Sequence, residues 1–171
     1  MNAGSKDMMK LLLSSKQVDI DLETENNRQT PLLTACLCGN YEIVRMLLLA
    51  GAEPNKPNQL NQSPLAVTLF RLVEEPSSFE NKKICLMVAD LLIKHGADPN
   101  WIIDKKRGWS LLHYFCGLKL KMNKQQRRLN RDIIAFLLEH GADARQTTLD
   151  DKSCLNLAAQ HCNQEEIVLL L

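Results

Sequence analysis

The residues of this 171-residue chain best suited to chemistry are six cysteines, Cys36, Cys38, Cys85, Cys116, Cys154 and Cys162, and four histidines. A metal site needs pairs of soft ligands at fixed spacing, and a nucleophilic thiol needs a base and a group to orient it. Cys36-x-Cys38 has one residue between its thiols, and on a helix these point to different faces, so both read as structural thiols. His113-x-x-Cys116 shares a helix face but has no second pair at zinc spacing. His161-Cys162 and Cys154 have no acid that spacing can place beside them. No G-x-x-x-x-G-K, G-x-G-x-x-G, H-E-x-x-H or G-x-S-x-G string occurs, which removes the phosphate-loop, dinucleotide, zinc-protease and nucleophile-elbow readings. The sequence therefore predicts no catalytic residue, no metal, no cofactor and no enzyme.

Composition bounds the alternatives. At 45% hydrophobic and 24% charged residues the chain reads as a folded domain. Its longest leucine-rich runs, at Met46–Leu49 and Leu169–Leu171, are far shorter than the roughly 18 apolar residues of a membrane span. The start, Met1–Lys6, is too polar for a signal peptide. The cysteines are scattered through helical segments without the density of a disulfide scaffold, so they are expected to be reduced thiols of a cytoplasmic or nuclear protein.

The elements that position these residues recur. One phrase returns three times, as Gly51-Ala52-Glu53-Pro54-Asn55, Gly96-Ala97-Asp98-Pro99-Asn100 and Gly141-Ala142-Asp143, each after an apolar helical stripe. The glycines are 45 residues apart, whereas the hydroxyl residues Thr30 and Ser63 are 33 apart, so the base unit is 33 with insertions in later copies. Thr30-Pro31 and Ser63-Pro64 are helix starts: a side-chain oxygen accepts from an orphan N–H, and proline follows where its missing donor costs nothing. Ser110 and Ser153 hold the same position. Gly51, Gly96 and Gly141 are helix stops, where a left-handed residue closes the last turn. In the best copy, Thr30–Gly39 and Asn40–Ala50 form two antiparallel helices.

The run from Gln29-Thr30-Pro31-Leu32-Leu33 through Gly39-Asn40 to Leu49-Ala50-Gly51-Ala52-Glu53-Pro54-Asn55 resembles an ankyrin repeat almost position for position. Ser63-Pro64-Leu65-Ala66 lacks the usual histidine, Ser110-Leu111-Leu112-His113 keeps it without the proline, and Ser153-Cys154-Leu155-Asn156-Leu157-Ala158-Ala159 keeps only the small pair. The resemblance implies an all-α ankyrin-repeat solenoid of antiparallel helix pairs with hairpin loops, forming a single domain over residues 1–171. A half-repeat covers 1–24, and repeats cover about 25–57, 58–102, 105–147 and 148–171. The last is incomplete, and Ile167, Val168, Leu170 and Leu171 would be left uncovered, so the chain is expected to be a fragment of a larger protein. His113 takes the place where the family's histidine bonds neighbouring backbone.

The third and fourth units gain residues between their two helices, around Leu72–Lys83 and Lys119–Arg128. In the first insertion Pro76-Ser77-Ser78 breaks the helix and Asn81 can cap the next, whose Ile84, Val88, Leu91 and Leu92 recur at helical spacing. In the second, helix formers run unbroken from Asn123 to His140 with Leu129, Ile133, Phe136 and Leu137 on one face, so the second helix is expected to start about two turns early. Either insertion is drift or function.

Charge is segregated. The segment Lys105–Arg131 contains Lys105, Lys106, Arg107, Lys119, Lys121, Lys124, Arg127, Arg128 and Arg131 and no acid, leaving a net −8 on the other 144 residues. Such a field is a solvated face, or it steers an acidic peptide, a phosphorylated segment, an anionic lipid or nucleic acid. Nucleic acid ranks lower because only Trp109 and Tyr114 are nearby for base stacking. The family resemblance implies that hairpin tips and first helices line a concave binding face. The expected protein-binding residues are Trp109, Arg107, Lys106, Leu60, Gln62, Phe70, Arg71 and Lys152, in a monomeric interaction module. Trp109 alternatively shields the junction near Ile103-Asp104 by packing on Trp101, and Phe70 alternatively belongs to the core. The resemblance further makes Asn55 and Asn100 targets for asparagine hydroxylation, the alternative being that they only stabilise the turn.

Overall fold

The computed structural model describes residues 3–15, 18–74, 79–118 and 124–160. Among them are eight helices, α1 (Ala3–Ser14), α2 (Pro31–Leu37), α3 (Tyr41–Leu49), α4 (Pro64–Glu74), α5 (Phe79–Lys94), α6 (Leu111–Cys116), α7 (Lys124–Glu139) and α8 (Cys154–Gln160), and two short strands, β1 (Ile102–Asp104) and β2 (Trp109–Ser110). The chain divides into two compact units, one of Met1–Arg71 with Ser77–Ala97, the other of Leu72–Pro76 with Asp98–Leu171. In the first, α3 packs against α1, α2 and α5; in the second, α6 packs against α7 and α8.

The four hydroxyl residues are equivalent in three dimensions. Each accepts from the N–H three residues on: Leu33 to Thr30 Oγ1 at 3.1 Å, Ala66 to Ser63 Oγ at 3.3 Å, His113 to Ser110 Oγ at 3.4 Å and Asn156 to Ser153 Oγ at 3.2 Å. Asn40 caps α3 in the same way, through Ile43 N–H. Thr30, Ser63 and Ser110 are each only 1% exposed, so water cannot replace the bond.

The stops are as regular as the starts. Gly51, Gly96 and Gly141 have φ of +94°, +92° and +89°, a region closed to most side chains. The alanine after each then donates back to the residue five earlier, Ala52 to Leu47 O, Ala97 to Leu92 O and Ala142 to Leu137 O, at 2.9–3.0 Å. These alanines are buried, which is why a small residue follows the glycine.

Between start and stop each helix hides one stripe. Ile43, Val44, Leu47 and Leu48 are buried on α3 at the three- and four-residue spacing of a single face, each contributing about 1.5–3 kcal/mol of transfer free energy. On α7 the buried set is Leu129, Asn130, Ile133, Ile134 and Leu137. Phe136, read from sequence as part of that face, sits at its half-exposed edge, its ring 4.2 Å from that of His140. On α5 the buried face is Cys85, Val88, Ala89 and Leu92, with Ile84 and Leu91 half-buried beside it.

The described residues of the insertions are helical. α7 has 16 residues against nine in α3, and its extra turns lie at the N-terminal end, as the unbroken helix formers required. α4 and α5 run to 11 and 16 residues. Asn81 does not cap α5: the helix already starts at Phe79, which puts Asn81 inside its first turn. The break expected at Pro76-Ser77-Ser78, the early residue Asn123 and the apolar stripe Ile167, Val168, Leu170 and Leu171 lie outside the described residues.

One hairpin of this helical fold carries a short ladder. β1 and β2 pair antiparallel, Ile102 opposite Ser110 and Asp104 opposite Trp109, with a bulge between. The two residues that lengthen this junction, Ile103 and Asp104, enter this ladder, and Asp104 Oδ1 accepts the N–H groups of Lys106 and Arg107 to shape the turn.

Replacing Ser63 by alanine removes a buried acceptor and leaves an orphan donor, so urea denaturation should show a loss of about 2 kcal/mol, at the high end of the roughly 0.5–2 kcal/mol that cap substitutions cost. The equivalent change at the more exposed Ser153 should cost less.

Candidate functional site

Successive hairpins are joined by backbone hydrogen bonds. Gln59 N–H donates to Asn27 O at 3.0 Å in one unit, and Leu149 N–H donates to Arg107 O at 2.9 Å in the other. These are the same bond at equivalent positions. Two residues before each cap, Arg28, Asn61, Gly108 and Asp151 have φ of +52°, +59°, +69° and +55° and turn the chain into the helix. The signal for this position was Gly, Asn or Asp two residues before the cap, at Gly108, Asn61 and Asp151, and Arg28 departs from it. Next to these turns, Leu60 and Leu149 are 72% and 70% exposed.

A second ladder uses Asx side chains. Asp21 accepts from Glu53 N–H at 3.2 Å, Asn55 donates to Gly96 O at 2.8 Å, and Asn100 both donates to Gly141 O at 3.2 Å and accepts from Asp143 N–H at 2.8 Å. Asn55 and Asn100 thus stabilise their loops. Asp21 was invisible in the sequence, since it lies outside the recurrent Gly-Ala phrase.

Within this frame the expected binding residues fall in different places. Arg107 and Lys106 are exposed at the β1–β2 turn, and the Arg107 guanidinium lies 5.3 Å from the centre of the Trp109 ring, a cation–π contact. The outer edge of that half-buried ring lies over Gly117, where an added Cβ would come within 3.1 Å of it. Gln62 is turned into its own hairpin, accepting from Asn58 Nδ2. Lys152 is half-buried and closes its hairpin, its N–H donating to Thr148 Oγ1 and its carbonyl accepting from Thr148 N–H. Phe70 and Arg71 are half-buried on α4, and the Arg71 guanidinium fills the space a Cβ at Gly39 would need.

The basic run separates into two groups. Lys105 stands with Lys106 and Arg107 at the β1–β2 turn, whereas Lys124, Arg127, Arg128 and Arg131 on α7 line a concavity of about 500 Å³. Lys119 and Lys121 lie outside the described residues. The inner side of α7 is pinned by the buried Asn130, whose Nδ2 donates to Phe115 O at 3.0 Å.

The thiols and His113 form a cluster that spacing could not reveal. His113 is fully buried, with Nδ1 2.8 Å from Ser110 Oγ and Nε2 3.0 Å from Gln146 O, so it ties its own helix to the following loop. Cys116 and Cys154, also fully buried, meet beside it. A hydrogen bond with Cys116, helped by His113, brings the Cys154 thiol down to about 6 against the opposing effect of burial. In the other unit burial pushes the Cys36 thiol up to about 12. A nucleophile needs a path to substrate, and none of these three buried thiols has exposed surface. Cys38 is exposed, on the other face from Cys36. His161 and Cys162 lie outside the described residues.

The two thiols have opposite linkage to stability. The fold prefers neutral Cys36, so as pH rises from the ordinary thiol value of 9.0 towards about 12 the unfolded chain loses a proton that the folded one keeps, and stability falls. The fold prefers ionised Cys154, so its contribution is present above 9.0 and is lost as pH falls through about 6. Chemical denaturation of wild type and Cys36→Ala across the alkaline range should show the variant losing less stability; parallel curves would contradict the buried-thiol assignment.

Residues 1–58 match the family described as ankyrin repeats (3 copies). The chain is 30% identical over 139 residues to leucine-rich repeat serine/threonine-protein kinase 1 of Mus musculus, a match covering 81% of this chain and 6% of that protein. It is 38% identical over 69 residues to cyclin-dependent kinase 4 inhibitor B of Rattus norvegicus, covering 40% of this chain and 43% of the relative. A putative ankyrin repeat protein of Acanthamoeba polyphaga mimivirus is 31% identical over 136 residues, covering 77% and 23%. The chain thus spans less than half the length of each of these relatives. Among the described residues no helix is long and apolar enough to cross a membrane.

Proposed function

Because this chain belongs to the ankyrin-repeat family, we propose that it is a non-catalytic interaction module, binding a protein partner through its hairpin tips and first helices. The observation that carries this reading is the division of labour in each hairpin. Backbone-to-backbone bonds such as Leu149 N–H to Arg107 O fix the loop, while Leu149 stays 70% exposed and Lys106 and Arg107 remain exposed beside Trp109. A side chain held on a rigid frame loses little entropy on binding, and Trp and Arg are the residue types that most often dominate interfaces. Leu60, 72% exposed on the frame of Asn58 and Gln62, has the same character in the other unit. In this reading Gln62, Phe70, Arg71 and Lys152 contribute at the margins of the binding face.

The similarity to a cyclin-dependent kinase inhibitor favours a protein partner, since that relative is named for its action on another protein. The catalytic activity named for the kinase relative does not carry over, because the shared segment is 6% of that protein. In this reading the protein acts as a monomeric scaffold in the cytoplasm or nucleus, with residues 1–171 working as one repeat domain. In the same reading Asn55 and Asn100 are targets for hydroxylation.

A competing reading, in which nucleic acid or another anionic phosphate ligand binds Lys105–Arg131, rests on charge alone and predicts affinity that falls steeply with salt. Affinity capture with the full-length protein, followed by quantitative mass spectrometry, separates the two. Trp109→Ala with Arg107→Ala, and separately Leu60→Asp, should deplete the same protein partner roughly ten-fold, equivalent to about 1.4 kcal/mol, with thermal unfolding unchanged for Leu60→Asp. An unaltered set of captured proteins in both variants would refute the hairpin-tip assignment.

A further inference from the structure

Resting on the protein-binding reading, we propose that the concavity on α7 is a docking site for a phosphorylated segment of a partner protein, a phosphoserine or phosphothreonine with acidic neighbours. Lys124, Arg127, Arg128 and Arg131 follow the spacing i, i+3, i+4, i+7, which places all four on one helical face, and they line a space of about 500 Å³. That volume exceeds a lone phosphate and lies in the range of about 300–1,000 Å³ typical of ligand clefts, so it has room for flanking residues. Lys124, Arg127 and Arg128 make no ion pair with a described residue. Elsewhere, Arg28, Arg45, Lys94 and Arg107 each have a carboxylate within 4 Å, supplied by Glu23, Glu42, Asp90 and Asp104.

The position of these bases argues for recognition as well. The last nine residues of α7, from Arg131, correspond to the whole of α3, so Lys124, Arg127 and Arg128 stand on the added turns. The opposite side of those turns is secured by buried Leu129 and by Asn130 bonded to Phe115 O. The added turns are thereby anchored to the protein, and their outward face carries two forked guanidinium groups and one ammonium, with the Arg131 guanidinium one turn further along. Guanidinium groups bind phosphate oxygens through paired hydrogen bonds, which a solvated face does not need.

Two other anionic surfaces fit less well. A membrane-lying helix must offer an apolar flank, but Leu129, Ile133, Ile134 and Leu137 of α7 are already buried in the protein. Single-stranded nucleic acid is held by aromatic rings stacked on its bases, and the described lining of this cleft is four basic side chains without a ring.

Fluorescence anisotropy of the full chain with a short acidic peptide bearing one phosphoserine tests this directly. The phosphopeptide should bind roughly ten-fold or more tightly than its serine counterpart, and Arg127→Ala with Arg128→Ala should abolish that preference without altering the circular dichroism spectrum. Arg127→Lys with Arg128→Lys should restore only part of it, because charge returns without the forked geometry. Equal affinity for the two peptides overturns the proposal. So does tighter binding of a single-stranded oligonucleotide or of phosphatidylserine vesicles that depends on the same arginines. If partner capture still depends on Trp109 and Leu60 while the phosphopeptide fails, the docking proposal falls and the interaction-module reading stands.

Discussion

Everything in this protein depends on satisfying the backbone donors at the start of short helices. A helix of six or seven residues, such as α6 or α2, spends most of its length on end groups and cannot persist alone. The buried hydroxyl of Thr30, Ser63 or Ser110 supplies the first acceptor, and burial makes that acceptor irreplaceable by water. His113 extends the arrangement: its Nδ1 meets the Ser110 cap, and its Nε2 reaches the carbonyl of Gln146 in the next loop. One imidazole thereby links a helix start to the neighbour against which that helix must pack. The chain dedicates its most chemically versatile side chain in this region to cohesion.

Much of the fold could be read from the sequence because its punctuation is local. A hydroxyl before proline, a glycine after an apolar stripe and an uninterrupted series of helix formers each act within a few residues, so caps, stops and the early start of α7 were legible. Other features arise only when distant segments meet. At the left-handed turn position Asn61 and Asp151 are types that enter this region readily, whereas at Arg28 the hairpin geometry imposes the conformation against ordinary preference. The bulged ladder of β1 and β2 follows from where two extra residues were accommodated.

The candidate site was legible in type more than in arrangement. Arg107 and Trp109 are two residues apart and do meet, as a tip cluster. The nine-base run looked like a single patch in the sequence, yet the helical turn of α7 gathers four of its members and the hairpin takes three others. Arg71 seemed a free contact residue, but the absent side chain of Gly39 leaves a recess that receives its guanidinium. Cys116 and Cys154 are far apart in sequence and had no reason to be considered together; α6 and α8 bring them side by side, and their burial makes a perturbed thiol a structural matter.

The Asn100 side chain faces its neighbouring loop with both ends of its amide, donating to Gly141 O and accepting from Asp143 N–H. Hydrolytic deamidation at this residue would preserve the acceptor and replace the donor with a negative oxygen opposite a carbonyl. A chemical ageing event that changes the mass by about one dalton would thus turn a clasp into a repulsion, and this repeat junction would carry a record of the molecule's age that its amino-acid sequence alone does not announce.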